Sequence, residues 1–511
     1  MDNKNYYITT PIYYPSGNPH MGHAYSSIIA DVFARFKRLD GYNVFFLTGT
    51  DEHGLKIQKS AEKNNKKTKD FCDNISKIFK NLTKSLNLSN DDFIRTTEER
   101  HHKAVQFLWE KLQSKGYIYL SKYKGWYSVS DEAYYNEDEI AEKDGKKIST
   151  VSGSLVDWVE EESFFFKLSS LQDRLLEFYN KNPEFILPIT RKNEVVSFVK
   201  RGLKDLSVSR KSFSWGIKVP NDKKHIIYVW LDALTNYISA LNYPNLEDKL
   251  FKSFWPATLH IIGKDILRFH AIYWPAFLMA AKIEPPSRVF GHGWILSGDE
   301  KMSKSKGNIL NPIEIIDKYG IDQLRYYLMK EVSHGSDGNI SLKSLENCIN
   351  SDLANNFGNL CQRVFSFVKN NCSKKVQKDN VLSDQDKNLI KETNNLTKNL
   401  RIEMDDQKLN SYMKSTISIS FLTNKYINDE EPWKLKNNNV EKMNNILHIS
   451  LEQIAKISIL LNPIIPNAST KVLDALNITN KIRNHGFLDG NNLIPNVVQI
   501  KELNILFKKI T

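Results

Sequence analysis

Within its first 54 residues the chain changes hydrophobic pattern in a way that leaves few folds open. Residues 6–10 form a short aromatic and β-branched run, as a strand does. A turn-rich loop follows at residues 11–19, and Pro19 can serve as the first residue of a helix, where its missing N–H is no loss. Ile28, Ile29, Val32, Phe33, Phe36 and Leu39 then recur with helical spacing until Gly41 stops the pattern. Residues 44–48 read as a second strand, and Gly49-Thr50-Asp51-Glu52-His53-Gly54 follows at its carboxyl end. Strand, helix, strand with polar residues at the strand ends is the beginning of an open parallel α/β sheet.

The pattern resumes much later. Residues 226–229 and 259–262 read as strands and 269–282 as a helix, so the sheet is split by an insertion at residues 116–220. That insertion is rich in aromatics, among them Trp126, Tyr127, Trp158, Phe164, Phe165 and Phe166, and holds neither cysteine nor histidine. After residue 340 strand signals vanish, and helical periodicity continues through 345–369, 384–404, 409–427 and 440–461, which predicts a helical bundle. A chain of 511 residues is too long for one core. The expected fold is a doubly wound, Rossmann-type parallel sheet in two halves, residues 1–115 and 221–340, split by a connective insertion at 116–220 and followed by an all-α bundle at 341–511.

Composition narrows the class. Lysine and arginine number 71 against 59 acidic residues, a net charge of +12, which suits a polyanionic partner and equally a solvated basic surface. The four cysteines, Cys72, Cys348, Cys361 and Cys372, include no Cys-x-x-Cys pair, so neither a disulfide framework nor a zinc knuckle is expected. No stretch reaches the roughly 18 unbroken apolar residues of a membrane span. Candidate site residues begin at Ile12, which leaves no room for a presequence before them; a cytoplasmic protein without a membrane partner is expected.

Two segments far apart carry the chemistry. His20-Met21-Gly22-His23 puts two imidazoles three residues apart at a helix start, where both can converge on one phosphate from the favourable end of the helix dipole. Gly22 between them would let an adenine lie against bare backbone. Lys301-Met302-Ser303-Lys304-Ser305 brackets two hydroxyls, those of Ser303 and Ser305, with lysines and makes a cationic clasp for β- and γ-phosphates. It follows Gly291-His292-Gly293-Trp294-Ile295, a strand whose backbone at His292 and Gly293 could meet the adenine. Donors placed at the charge that grows on an attacked α-phosphorus lower its barrier.

In this order the two segments resemble the paired ATP signatures of the class I aminoacyl-tRNA synthetases, and the residues around them resemble the methionyl-tRNA synthetase family along essentially the whole chain. Isoleucyl, valyl and leucyl enzymes carry a large editing domain for which the insertion is too short. A cysteinyl enzyme would need zinc ligands, and the nearest cysteine, Cys72, is isolated. The resemblance implies a methionine–tRNA ligase using ATP with Mg²⁺. His20, His23, Lys301 and Lys304 would be catalytic, Lys304 being the main phosphate lysine and Lys301 its helper. Gly263 and Asp265 would hold the ribose and the adenylate.

Methionine would be held by Ile12, Tyr14, Asp51, Trp230, Ala233, Leu234, Tyr237, Ile266, Phe269, His270 and Trp274. In that pocket Tyr14 offers its hydroxyl to the sulfur, Asp51 pairs with the ammonium, and the aromatic cage suits an unbranched, polarizable side chain. Relatives that carry zinc knuckles in the insertion need Cys or His there; their lack implies a zinc-free form with no resident metal. Asn359 and Arg363, spaced i, i+4, and Trp433 in a loop match positions that read the anticodon, the tryptophan stacking on a base. The expected partners are methionine, ATP and tRNA(Met), with no DNA, and the state a monomer, since no further module follows residue 511. The rivals are a small nucleotidyltransferase sharing the His-x-Gly-His segment and a tRNA-binding paralogue that has lost catalysis.

Overall fold

Six strands run parallel in one sheet in the computed structural model, which describes residues 4–510 except 16, 132, 298–299, 302–309, 334, 379–380 and 491. They are β1 (Asn5–Tyr13), β2 (Asn43–Thr50), β3 (Asp92–Arg95), β4 (Ile186–Leu187), β5 (Leu259–Gly263) and β6 (Val289–His292), in the order β3-β2-β1-β5-β6-β4. The chain steps outward from β1 to β3, then returns to the other side of β1 at β5. Such a reversal opens a crevice at the carboxyl ends of the two central strands.

The helix α1 (Met21–Leu39) joins β1 to β2. Its apolar residues Ile28, Ile29, Val32, Phe33 and Phe36 are all buried, and so are the polar Ser26, Ser27, Asp31 and Lys37. A helix buried nearly all round needs cover on both sides. The sheet gives one side; the C-terminal bundle gives the other, with Phe36 edge-on to Tyr412 at 5.5 Å between ring centroids. The helix starts later than the sequence predicts: His20 is its N-cap and Pro19 stands outside it. It ends as expected, with Gly41 at φ +83°.

β1 is longer than residues 6–10, running to Tyr13 with a register shift between Thr9 and Ile12 that accommodates Pro11, which has no N–H to give. The insertion forms its own antiparallel sheet, in which Ile118–Ser128 pairs along its length with Asp157–Phe166, and Phe166 docks edge-on against Phe277 at 4.8 Å. Two expectations meet a correction. The strand foreseen at 226–229 is Asp222–Ile227, and it pairs antiparallel with Ser209–Arg210 and Lys218–Val219 in a separate small sheet. The main sheet instead takes its edge strand β4 from within residues 116–220. The helix foreseen at 269–282 opens with a π-turn, Phe269–Tyr273, before Trp274–Ala281.

Beyond residue 340 the long helices lie close to where periodicity puts them, chiefly Asn359–Asn371, Asp384–Thr397, Leu409–Glu430 and Val440–Leu461. A short strand pair, Lys375–Gln377 with Val497–Gln499, straps the bundle and has no counterpart in the expectation.

Candidate active site

A cavity of about 1260 Å³ opens at the carboxyl ends of β1, β5 and β6. One wall comes from the start of α1. His20, as N-cap, accepts the Gly22 N–H on its Nδ1 at 3.1 Å, and its own N–H donates to His23 Nδ1 at 3.1 Å. The two rings stack with centroids 3.8 Å apart. Since each Nδ1 is an acceptor, the neutral rings carry their proton on Nε2, the nitrogen that a phosphate oxygen requires. A Cβ on Gly22 would come within 3.0 Å of the His20 ring, so the glycine lets that imidazole fold over the helix start. Gly22 itself lines the cavity beside that ring.

On the opposite side β5 ends at Gly263 and β6 at the buried His292, which Gly293 follows. Asp265 folds its carboxylate back over Gly263, where an added Cβ would lie 2.7 Å from Oδ1, and the same oxygen accepts Trp294 Nε1–H at 3.1 Å. His292 donates from Nδ1 to the Gly293 carbonyl at 2.8 Å, so its Nε2 accepts the Ser26 hydroxyl at 2.7 Å and ties β6 to α1. Burial holds the His292 pKa below the usual histidine value, which keeps that acceptor neutral. Gly293 passes so close to Ser336 that a Cβ would sit 2.1 Å from its backbone.

The third wall is aromatic. Trp230 and Phe269 stack face to face at 3.7 Å with only 6° between their planes. Beneath them His270 donates from Nδ1 to the Ile266 carbonyl at 3.0 Å and accepts the Tyr237 hydroxyl on Nε2 at 2.7 Å. Burial lowers the His270 pKa to about 4, so this ring too is neutral. Ile12, Ala233 and Leu234 complete the apolar lining, and Asp51 enters it at the end of β2, where its N–H donates to Tyr13 O at 2.9 Å.

Residues 6–365 match the model of the class I tRNA synthetases (M), and residues 376–511 that of the anticodon binding domain of methionyl tRNA ligase. The chain belongs to the class I methionyl-tRNA synthetase family. It is 49% identical to the methionine–tRNA ligase of Brucella melitensis over 93% of this chain and 92% of that one. To the ligase of Rickettsia bellii it is 50% identical over 94% of each. Its fold superposes on a Mycobacterium tuberculosis methionyl-tRNA synthetase solved with methionyl-adenylate at a TM-score of 0.96, with 42% identity and 99% of both chains covered.

In this synthetase the residues singled out from sequence fall into three groups. His20, Gly22, His23, Ile12, Tyr14, Asp51, Trp230, Ala233, Leu234, Tyr237, Gly263, Asp265, Ile266, Phe269, His270, His292 and Gly293 all line the one cavity. Trp274 does not: it is fully buried behind Tyr237, with ring centroids 6.1 Å apart. Lys301 ends the two-residue strand Glu300–Lys301, which pairs with Leu296 beside the cavity-lining Ile295. Ser303, Lys304 and Ser305 lie outside the described residues. Tyr14, expected to offer its proton to a sulfur, donates it to the His53 carbonyl at 2.7 Å.

The third group does not line the cavity. Asn359 is exposed on its helix, while Arg363 holds its guanidinium 5.7 Å from the Trp433 ring and donates to Asn428 Oδ1 at 2.7 Å. Trp433 is 42% exposed and sits in the short helix Pro432–Leu435 rather than in a loop. Sequence reading missed Asn428, the Ser26–His292 link, and a buried cluster of His53, His101 and Asp232 behind the aromatic wall. The only signal for that cluster was His53 inside the Gly-Thr-Asp-Glu-His-Gly run.

Proposed function

We propose that the chain is a methionine–tRNA ligase that works in two steps. L-Methionine and ATP give methionyl-adenylate and pyrophosphate; the methionyl group then passes to the terminal adenosine of tRNA(Met), whose anticodon is CAU. One observation carries the reading. The capped imidazole pair and the stacked Trp230–Phe269 wall face one cavity, so a nucleotide phosphate and an apolar amino-acid side chain can be held within reach of each other.

In the first step the methionine carboxylate attacks the α-phosphorus, and the five-coordinate centre gains negative charge. The Nε2–H groups of His20 and His23 are the donors for that charge, each worth about 10²–10³ in rate. Lys301 and Lys304 stabilise the departing pyrophosphate, with Ser303 and Ser305 beside them. Mg²⁺ enters with ATP on its phosphate oxygens. Gly263 lets ribose approach the backbone, Asp265 accepts from the adenylate, and His292-Gly293 border the adenine. Asp51 pairs with the methionine ammonium. Trp230, Phe269, Ile12, Ala233 and Leu234 enclose the thioether, and His270 with Tyr237 fixes the floor. Asn359, Arg363 and Trp433 take the anticodon.

The protein acts in the cytoplasm as a monomer. No observation favours a paralogue without catalysis. The test is methionine-dependent exchange of pyrophosphate into ATP by the purified chain; folded protein that binds methionine but gives no exchange would overturn the assignment.

A further inference from the structure

Arg325 lies on the helix Ile321–Glu331, and its side chain is wholly buried at the joint between the catalytic sheet and the C-terminal bundle. Its guanidinium donates in four directions. Nη2 reaches Asp31 Oδ2 at 2.7 Å and the Pro463 carbonyl at 2.7 Å, Nε reaches the Ile464 carbonyl at 2.8 Å, and Nη1 the Leu86 carbonyl at 3.0 Å. Asp31 sits in the middle of α1, about 16 Å along the helix from His20. Its carboxylate is fully used as well, accepting Ser89 N–H and Oγ–H at 2.6 Å each and Arg35 Nε–H at 2.7 Å. Pro463 and Ile464 form the turn between the two bundle helices Val440–Leu461 and Pro466–Ala475.

Neighbouring contacts cross the same joint. Asp322, one turn before Arg325, accepts the Ala468 N–H at 2.6 Å at the start of Pro466–Ala475. Arg401 of the bundle donates to Asp40, just past the end of α1, at 2.7 Å. A planar fork that satisfies two bundle carbonyls, one catalytic carbonyl and one α1 carboxylate together sets position as well as attraction. A lysine ammonium could keep Asp31 but could not span the other three.

We infer that Arg325 is a positioning residue for the transfer step: it fixes the bundle against α1 so that a tRNA gripped at Trp433 presents its other end to the cavity. This inference rests on the ligase reading above. The two ends of the joint differ in what else holds them. α1 is held by the sheet on one side and by bundle contacts other than Arg325, such as Arg401 to Asp40 and Tyr412 against Phe36, on the other, whereas among the described residues the carbonyls of the 463–464 turn are reached from the catalytic half by Arg325 alone. Loss of the fork should leave adenylate formation alone and disturb only the step that needs both halves in register.

The experiment compares the full-length wild-type chain with R325K, well below the unfolding temperature of either. Pyrophosphate exchange should stay within about two-fold, while kcat/KM for tRNA charging falls about ten- to hundred-fold, the scale of an ångström-sized misplacement. Affinity for tRNA at the anticodon end should be kept, so the loss appears in kcat. Backbone hydrogen exchange over residues 463–475 should quicken, a readout independent of catalysis. Parallel loss of exchange and charging, or unchanged charging, would overturn the inference. If R325K does not fold, D322N loosens the same joint at Ala468 and should give the same split. A wild-type chain without exchange would instead sink the ligase reading, and the hydrogen-exchange comparison still decides whether Arg325 holds the joint.

Discussion

His53 donates from Nδ1 to Asp232 Oδ2 at 2.6 Å, deep behind the aromatic wall of the cavity. The other oxygen of Asp232 accepts His101 Nε2–H at 2.7 Å, and the carboxylate is fully buried. His53 lies two residues after Asp51; Asp232 lies in the helix Val229–Leu234, which also carries Trp230 and Ala233. One buried carboxylate thus clamps the wall that carries Asp51 to the wall that carries Trp230 and Ala233.

Burial alone would raise the Asp232 pKa, but His53 and His101 outweigh it and hold the carboxyl well below the usual carboxylate range. Asp232→Ala removes one partner of a buried charged cluster and should cost about 3–5 kcal/mol in denaturant unfolding. The wild-type contribution is fully present above the unfolded-chain value of about 3.9 and is lost as pH falls through that value towards the folded one. Asp232→Asn keeps the shape; a raised KM for methionine with KM for ATP unchanged is expected. Equal rises in both would show that the cluster supports the fold alone.

His20 caps its helix through Nδ1 and, on the proposed chemistry, donates to the phosphate through Nε2–H, two duties that can be separated. Asparagine caps a helix as well as any residue but cannot present the second group. His20→Asn should therefore keep thermal stability close to wild type while pyrophosphate exchange falls about 10²–10³-fold and methionine binding persists. An enzyme of near wild-type exchange rate would remove His20 from the chemistry.

Acid should loosen the aromatic wall of the cavity before it unfolds the chain. Burial lowers the His270 pKa to about 4, against about 6.5 when unfolded, so between these values the unfolded chain takes the proton first. Stability then rises with pH across that window, and the neutral ring contributes about 3 kcal/mol at pH 7 that is lost on acidification towards pH 4. Protonation would also put a proton on Nε2, which now accepts the Tyr237 hydroxyl. Urea midpoints between pH 7 and pH 5 should fall less steeply in His270→Gln than in wild type; identical slopes would assign the acid sensitivity to other buried histidines such as His260 and His292.

How far sequence carried this reading depended on the distance over which each feature is determined. The opening strand, α1 and β2 were legible because their hydrophobic period is local, and Asp51, Gly263 and His292 stand at strand ends as such sheets lead one to expect, whereas Trp230, Ala233, Tyr237, Phe269 and His270 lie in helical turns and were marked by the family resemblance. Periodicity marks Asp222–Ile227 as extended but names no partner, and so could not reveal that it pairs with Lys218–Val219 instead of joining β1. β4 is two residues long, too short for any period, and its place beside β6 is a tertiary fact. The same holds for hydrogen bonds. Tyr14 was correctly set at the cavity, yet its hydroxyl is claimed by a carbonyl 39 residues away, and Asp232 meets His53 across 179 residues. Trp274, aromatic and one turn beyond His270, belongs with the pocket by spacing but falls on the core face of its helix.

In the C-terminal bundle Trp433 keeps 42% of its surface exposed, and Arg363 sits against its ring while Asn428 holds the guanidinium. An exposed tryptophan beside a fixed cation is a stacking platform for an unpaired base, worth about 1–3 kcal/mol per base. Trp433→Ala gives up the buried part of the ring and its contact with Arg363, so a loss of about 1–3 kcal/mol in stability is expected without unfolding the chain. Charging efficiency with tRNA should fall about ten-fold or more, chiefly through KM, while pyrophosphate exchange stays at the wild-type rate because the cavity lies in the other half of the chain. The KM-directed loss distinguishes this variant from R325K, whose defect falls on kcat. Equal damage to exchange and charging would make Trp433 a structural tryptophan after all.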